Sequence, residues 1–112
     1  MKKSKVYLCG PMTGLPNKNK EEFNRYKNEL ITLGYDVVSP PDLDNEPDTG
    51  YDDNYYRLLR LAISQMLTCD MVALLPGWKS SRGAKLEFVL SYSVRLPVVK
   101  ADDLISPKEG VV

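Results

Sequence analysis

The sequence contains no histidine and only two cysteines, Cys9 and Cys69, in 112 residues. The two form no C-x-x-C pair, and each sits within or beside an apolar segment. Zinc and iron–sulfur sites are therefore not expected. Hydrolases of the Ser-His-Asp or Cys-His kind are excluded as well. Acid–base chemistry falls to carboxylates, tyrosines, lysines or cysteine, with neither metal nor cofactor implied. Net charge is also lacking, because 15 basic and 15 acidic residues cancel. No bulk field is left to hold a nucleic-acid backbone or an anionic membrane, although a local basic pocket stays open. Long apolar runs are absent too. Met71–Pro76, among the longest, is far short of the ~20 residues that span a bilayer. Near the N-terminus the run Val6–Cys9 breaks at Gly10–Pro11, too soon for the apolar stretch of a signal peptide. The expectation is a cytoplasmic protein without nucleic-acid or membrane partners. Two phosphate-binding signatures are missing as well: there is no G-x-G-x-x-G and no G-x-x-x-x-G-K-[ST].

What is present suits a soluble domain: 43% hydrophobic and 27% charged residues. The length fits one domain over 1–112. Lys5–Gly10 is a continuous apolar run that predicts a strand buried on both faces. Residues 11–18 carry two prolines and a glycine and predict a loop. Phe23, Tyr26, Leu30 and Leu33 recur at three- to four-residue steps and predict a helix over Asn19–Leu33, capped by Gly34. A second strand, Tyr35–Ser39, stops at Pro40–Pro41. Residues 42–53 read as an acidic loop. A helix over Asn54–Thr68 buries Leu58, Leu59, Ala62, Ile63 and Met66. Met71–Leu75 is the third strand, Gly77–Arg82 a loop, Gly83–Val94 a third helix and Pro97–Lys100 a fourth strand before a polar tail.

Alternating strands and helices predict an α/β fold, a small doubly wound parallel sheet of four strands in the order 2-1-3-4. Strands one and three then meet where the chain reverses direction, and ligands bind outside the carboxyl ends of strands at such a point. The loops after those two strands, Gly10–Lys18 and Pro76–Arg82, are also the two oddest segments of the chain. In the second, Ser80, Ser81, Arg82 and Gly83 stand where a loop enters a helix and offer hydroxyls, a cation and backbone N–H groups, a natural anion site. Ser81 also reads simply as an N-cap, and the two roles are compatible. Glu87 follows Gly83 by about one helical turn, among Leu86, Phe88 and Val89. A carboxylate there can attack an electrophilic carbon. The plainer alternative is a solvated glutamate paired with Lys85 or Arg82. Tyr7 lies inside the first strand, either as core or as a group that positions another. Trp78 either walls the pocket or anchors its loop. Tyr51, Tyr55 and Tyr56 cluster at the acidic loop as a lid or a subunit contact.

Three stretches, YLCGPMTG (Tyr7–Gly14), the Cys69-Asp70 pair with its apolar strand (Cys69–Leu75), and LPGWKSSRGAKLE (Leu75–Glu87), resemble the nucleoside 2-deoxyribosyltransferase superfamily, most nearly its small phage and bacterial members. The resemblance runs from about residue 5 to 99. It implies cleavage of the N-glycosidic bond of a deoxynucleoside or its 5′-monophosphate, with transfer to another base or to water. By position, Glu87 matches the nucleophile and Tyr7 the tyrosine that orients it. Ser81 matches the serine that binds a 5′-phosphate, with Arg82 and Gly83 beside it. Gly10, Met12, Thr13 and Gly14 match the loop around sugar and base. The resemblance also implies a homodimer or larger homo-oligomer. One departure stands out: where the superfamily's enzymes carry an aspartate that assists the leaving base, this chain has Ala62. That alanine motivates a second reading, a nucleotide-binding module without turnover. A phosphoribohydrolase of the lysine-decarboxylase-like group ranks last, because its PGGxGTxxE motif is absent.

Overall fold

The structure, a computed structural model, describes residues 3–43 and 51–107, apart from the side chains of 51–54. Four strands, β1 (Lys5–Cys9), β2 (Asp36–Val38), β3 (Met71–Leu74) and β4 (Val98–Lys100), form one parallel sheet in the order β2-β1-β3-β4. This is the expected α/β architecture and strand order. Val6 pairs with Val37 on one side of β1, and Tyr7 and Cys9 pair with Val72 and Leu74 on the other. The helices are α1 (Lys20–Thr32), α2 (Tyr51–Met66), α3 (Arg82–Ser93) and α4 (Ala101–Ile105). Short 3-10 turns occupy Pro16–Asn19, Pro40–Leu43 and Trp78–Ser80.

Because successive side chains of a strand point to opposite faces, β1 contributes to two separate cores. Val6 and Leu8, with Ala73 and Leu75, meet Phe23, Tyr26 and Leu30 of α1 and Ala101 of α4. Tyr7 and Cys9, with Val72 and Leu74, meet Ala62 and Met66 of α2 and Ala84 of α3. Helices thus cover both faces, as a parallel sheet requires.

Three expectations are corrected. Leu33, the last member of the predicted α1 stripe, is exposed at the helix's C-cap. The polar tail contains α4, too short and too acidic to read from propensity. It is held by tertiary contacts: Tyr26 Oη donates to Asp102 Oδ1 at 2.6 Å, and Leu104 and Ile105 pack on the α1-side core. Of the predicted acidic loop, Asp42 and Leu43 belong to a 3-10 turn and 51–53 begin α2. Residues 44–50 and the side chains of Tyr51, Asp52 and Asp53 lie outside the described residues.

Candidate functional site

The carboxyl ends of β1 and β3 lie side by side, joined by Leu75 N–H donating to Cys9 O at 2.8 Å. The loops that leave them are consequently in contact. Gly10 is required there, since a Cβ would come within 2.9 Å of Leu75 Cβ and 3.3 Å of Phe23 Cζ. Gly77 takes φ +85°, a conformation L side chains rarely adopt, to turn β3 into the next 3-10 turn. Between and above these loops opens a cavity of about 670 Å³, the size of a small-molecule site. One wall comes from the β1–α1 side, with Gly10, Met12, Thr13, Leu15, Asn19 and Glu22. Tyr55, Leu58, Leu59 and Ala62 of α2 form another, and Ser80 to Gly83 with Glu87 complete the lining at the start of α3.

Glu87 is the most deeply buried carboxylate of the lining among the described residues. It lines the cavity yet is only 5% exposed, which removes the solvated alternative. Tyr7, wholly buried beneath it, donates from Oη to Glu87 Oε2 at 2.7 Å. Alternation along β1 puts Tyr7 and Cys9 on this face together. The Cys9 thiol donates to Ala84 O at 3.4 Å, one turn before Glu87. Burial pushes the Glu87 carboxyl up to about 7, against the opposing pull of the hydrogen bond from Tyr7. Burial also raises the Tyr7 phenol well above its ordinary value, and the neighbouring Glu87 adds to the rise. Tyr7 thus stays a neutral donor, and the carboxyl it holds titrates near neutrality.

At the start of α3 Ser81 is the N-cap that its place in the sequence predicts. Its Oγ accepts from Ala84 N–H at 3.2 Å as an N-cap, and the residue lines the cavity. A Cβ on Gly83 would stand 3.5 Å from Tyr55 Oη and 3.7 Å from Leu59 Cδ1, so the start of α3 lies close against α2. The Arg82 guanidinium is engaged with α2: Nη2 donates to Tyr56 Oη at 3.3 Å, and the group lies 5.8 Å from the centre of the Tyr55 ring. The tyrosine pair of α2, in edge contact at 5.1 Å, is therefore part of the site's construction.

Eight of the ten residues singled out from the sequence meet at this place: Glu87, Tyr7, Gly10, Met12, Thr13, Ser81, Arg82 and Gly83. Two do not. Gly14 is absent from the cavity lining, and Trp78 packs on Phe88 at 4.8 Å, anchoring its loop to α3 instead of walling the pocket. Sequence reasoning missed Asn19, Glu22 and Pro40, and it assigned Leu58 and Leu59 to the core although both line the cavity; Ser80, read with Ser81 at the entrance to the helix, lines it too. Asn19 had a signal, in that an asparagine beside a Pro/Gly loop suits left-handed backbone. Asn17, Lys18 and Asn19 all have positive φ (49°, 54° and 60°), and Asn19 Nδ2 donates to Pro11 O at 3.0 Å. Ala62 stands in the wall at 3% exposure, so α2 brings no carboxylate at that position. Among the described residues no three or more His, Cys, Asp or Glu side chains are grouped to hold a metal ion, and no helix is long and apolar enough to cross a membrane.

The fold is shared with a 2-deoxyribosyltransferase from the psychrotolerant bacterium Bacillus psychrosaccharolyticus, studied as a biocatalyst for nucleoside synthesis. The TM-score is 0.71 at 15% identity, over 95% of this chain and 93% of that one. No curated protein matches the sequence. A family match does cover residues 4–100, and with it both loops, Tyr7, Ala62 and Glu87. The chain belongs to the DUF4406 family, a domain of unknown function.

Proposed function

We propose that this protein cleaves the N-glycosidic bond of a deoxynucleoside or its 5′-monophosphate through a covalent intermediate on Glu87, as a relative of the nucleoside 2-deoxyribosyltransferases. The observation that carries the reading is the buried Tyr7–Glu87 pair at the base of a nucleoside-sized cavity. A carboxylate attacking C1′ must be held still and kept from water, and both conditions are met here. The oxygen of Glu87 forms the C1′–O bond as the C1′–N bond breaks, and the base departs with the electron pair. Water then hydrolyses the glycosyl ester, or a second base takes the sugar. The N-terminal end of α3 and Ser81 suit a 5′-phosphate. From Gly83 to Glu87 the helix rises about 6 Å, close to the span from that phosphate to C1′.

Release of free base from a panel of deoxynucleosides and 5′-monophosphates, followed by chromatography, tests the reading. Glu87→Ala is expected to abolish release. Persistence of release in that variant would end the assignment of Glu87 as nucleophile.

Ala62 supports a second reading, a binding module without turnover. Loss of a general acid costs 10²- to 10⁴-fold, and α2 supplies none at that position. A 2-fluoro-arabinosyl nucleotide separates the two, because only a competent Glu87 gives an adduct visible by mass spectrometry. We also read the protein as a homodimer. Leu86, Val89 and Tyr92 recur at three-residue steps along α3 and are all exposed, Tyr92 by 77%. A strict monomer by light scattering at micromolar concentration would contradict this.

A further inference from the structure

The cavity is lined by two carboxylates among the described residues, Glu87 and Glu22, and the proposed chemistry uses only the first. The two come from opposite sides of the sheet. Glu87 belongs to α3, which packs with Tyr7 and Cys9. Glu22 belongs to the first turn of α1, whose Phe23 and Tyr26 pack with Val6 and Leu8, and Met12 joins that same core. The cavity therefore arches over the carboxyl edge of β1, with the nucleophile on one side and the Met12–Glu22 wall on the other. Displacement at C1′ needs the leaving group aligned opposite the attacking oxygen. A base departing from a sugar attacked by Glu87 accordingly faces that far wall.

On that wall Glu22 is the one charged side chain among the described lining residues, and it is held in place. Its Oε1 accepts from Arg25 Nη2 at 2.6 Å, and its side chain remains 39% exposed. The turn that carries it is tied to the β1 loop by the Asn19–Pro11 hydrogen bond. Oε1 is engaged by Arg25, and Oε2 is the carboxylate's second acceptor. A carboxylate accepts hydrogen bonds and donates none. It therefore favours a base edge bearing an amino group and repels one bearing a carbonyl oxygen.

Resting on the nucleotide reading above, we infer that Glu22 is a specificity-determining residue that receives the exocyclic amino group of the base, so that the site prefers amino-bearing bases to their oxo counterparts. Deoxycytidine and deoxyuridine 5′-monophosphates differ by exchange of this amino group for an oxo group, with a hydrogen added at the adjacent ring nitrogen, as do those of deoxyadenosine and deoxyinosine.

The test is calorimetric binding of these four nucleotides, with free base followed in the same samples. The wild-type chain is expected to bind the amino member of each pair roughly tenfold more tightly, in line with one hydrogen bond to a charged group. Glu22→Gln, whose amide both donates and accepts, is expected to bring the two members of each pair within about twofold. Glu21→Gln, which removes the same charge from a residue outside the cavity lining, is expected to leave the preference intact. Circular dichroism establishes that each variant is folded. Equal binding within the wild-type pairs, or a preference that survives Glu22→Gln, would overturn the inference while leaving the nucleotide reading in place. Failure of all four nucleotides to bind would overturn both.

Discussion

The two faces of the sheet are built from the same strands and held to different standards. On the α1 side the buried set is apolar apart from the Tyr26 phenol: Val6, Leu8, Phe23, Leu30, Ala73 and Leu75 fill it. On the α2–α3 side a phenol, two thiols, a carboxyl and a serine are buried among Val72, Leu74 and Met66. Tyr7 donates to Glu87, and Ser91 Oγ donates to Glu87 O at 2.7 Å. The first face is a scaffold. The second gives up stability to keep a carboxylate dry, and one strand, β1, contributes alternately to each.

The sharpest way to break this contrast is to damage each face and compare what is lost. Phe23→Ala, on the scaffold face, is expected to cost about 3–5 kcal/mol, enough to consume much of a small domain's stability. Urea unfolding measures it, and a loss below about 1 kcal/mol would show that the α1 core is not the support described here.

On the other face the corresponding change is expected to run the opposite way. Glu87 has its carboxyl pushed from 4.5 to about 7 by burial. Between those values the folded protein keeps a proton that the unfolded chain has lost, so stability falls as pH rises through that window. Above pH 7 the penalty is fully present, about 3 kcal/mol by linkage. Glu87→Gln, neutral and able to accept from Tyr7, is expected to raise the melting temperature at pH 8 and to have little effect at pH 4. Equal melting temperatures at pH 8 would mean that the carboxylate carries no such cost.

A smaller effect sharpens the role of Tyr7. Its hydrogen bond favours the charged form of Glu87, so Tyr7→Phe is expected to move the acid limb of base release upward by about one pH unit. An unmoved limb with lower rate would make Tyr7 a packing residue only.

How much of this was readable without coordinates follows the same division. Strand order, the first three helices and the meeting of the two loops were legible, because continuous apolar runs ending at Gly-Pro or Pro-Gly mark buried strands. The Tyr7–Glu87 contact was legible as a resemblance, and its register is a consequence of strand alternation. What stayed hidden was tertiary. Ala101–Ile105 folds as a helix only because Tyr26 and the α1 core receive it. Glu22 sits in the first turn of an amphipathic helix, next to Glu21, and nothing in the local pattern distinguishes the one that lines a cavity from the one that does not. Trp78 was equally ambiguous until Phe88 was found beneath it.

The dry setting of Glu87 has a pharmacological corollary. A buried carboxylate with no ion-pair partner among the described residues attracts a positive charge at the point where C1′ would sit. Five-membered rings bearing a protonated nitrogen in that place resemble a sugar whose bond to the base has already loosened. Such compounds should bind most tightly above pH 7, where Glu87 is charged, and their binding should return the stability that its buried charge costs.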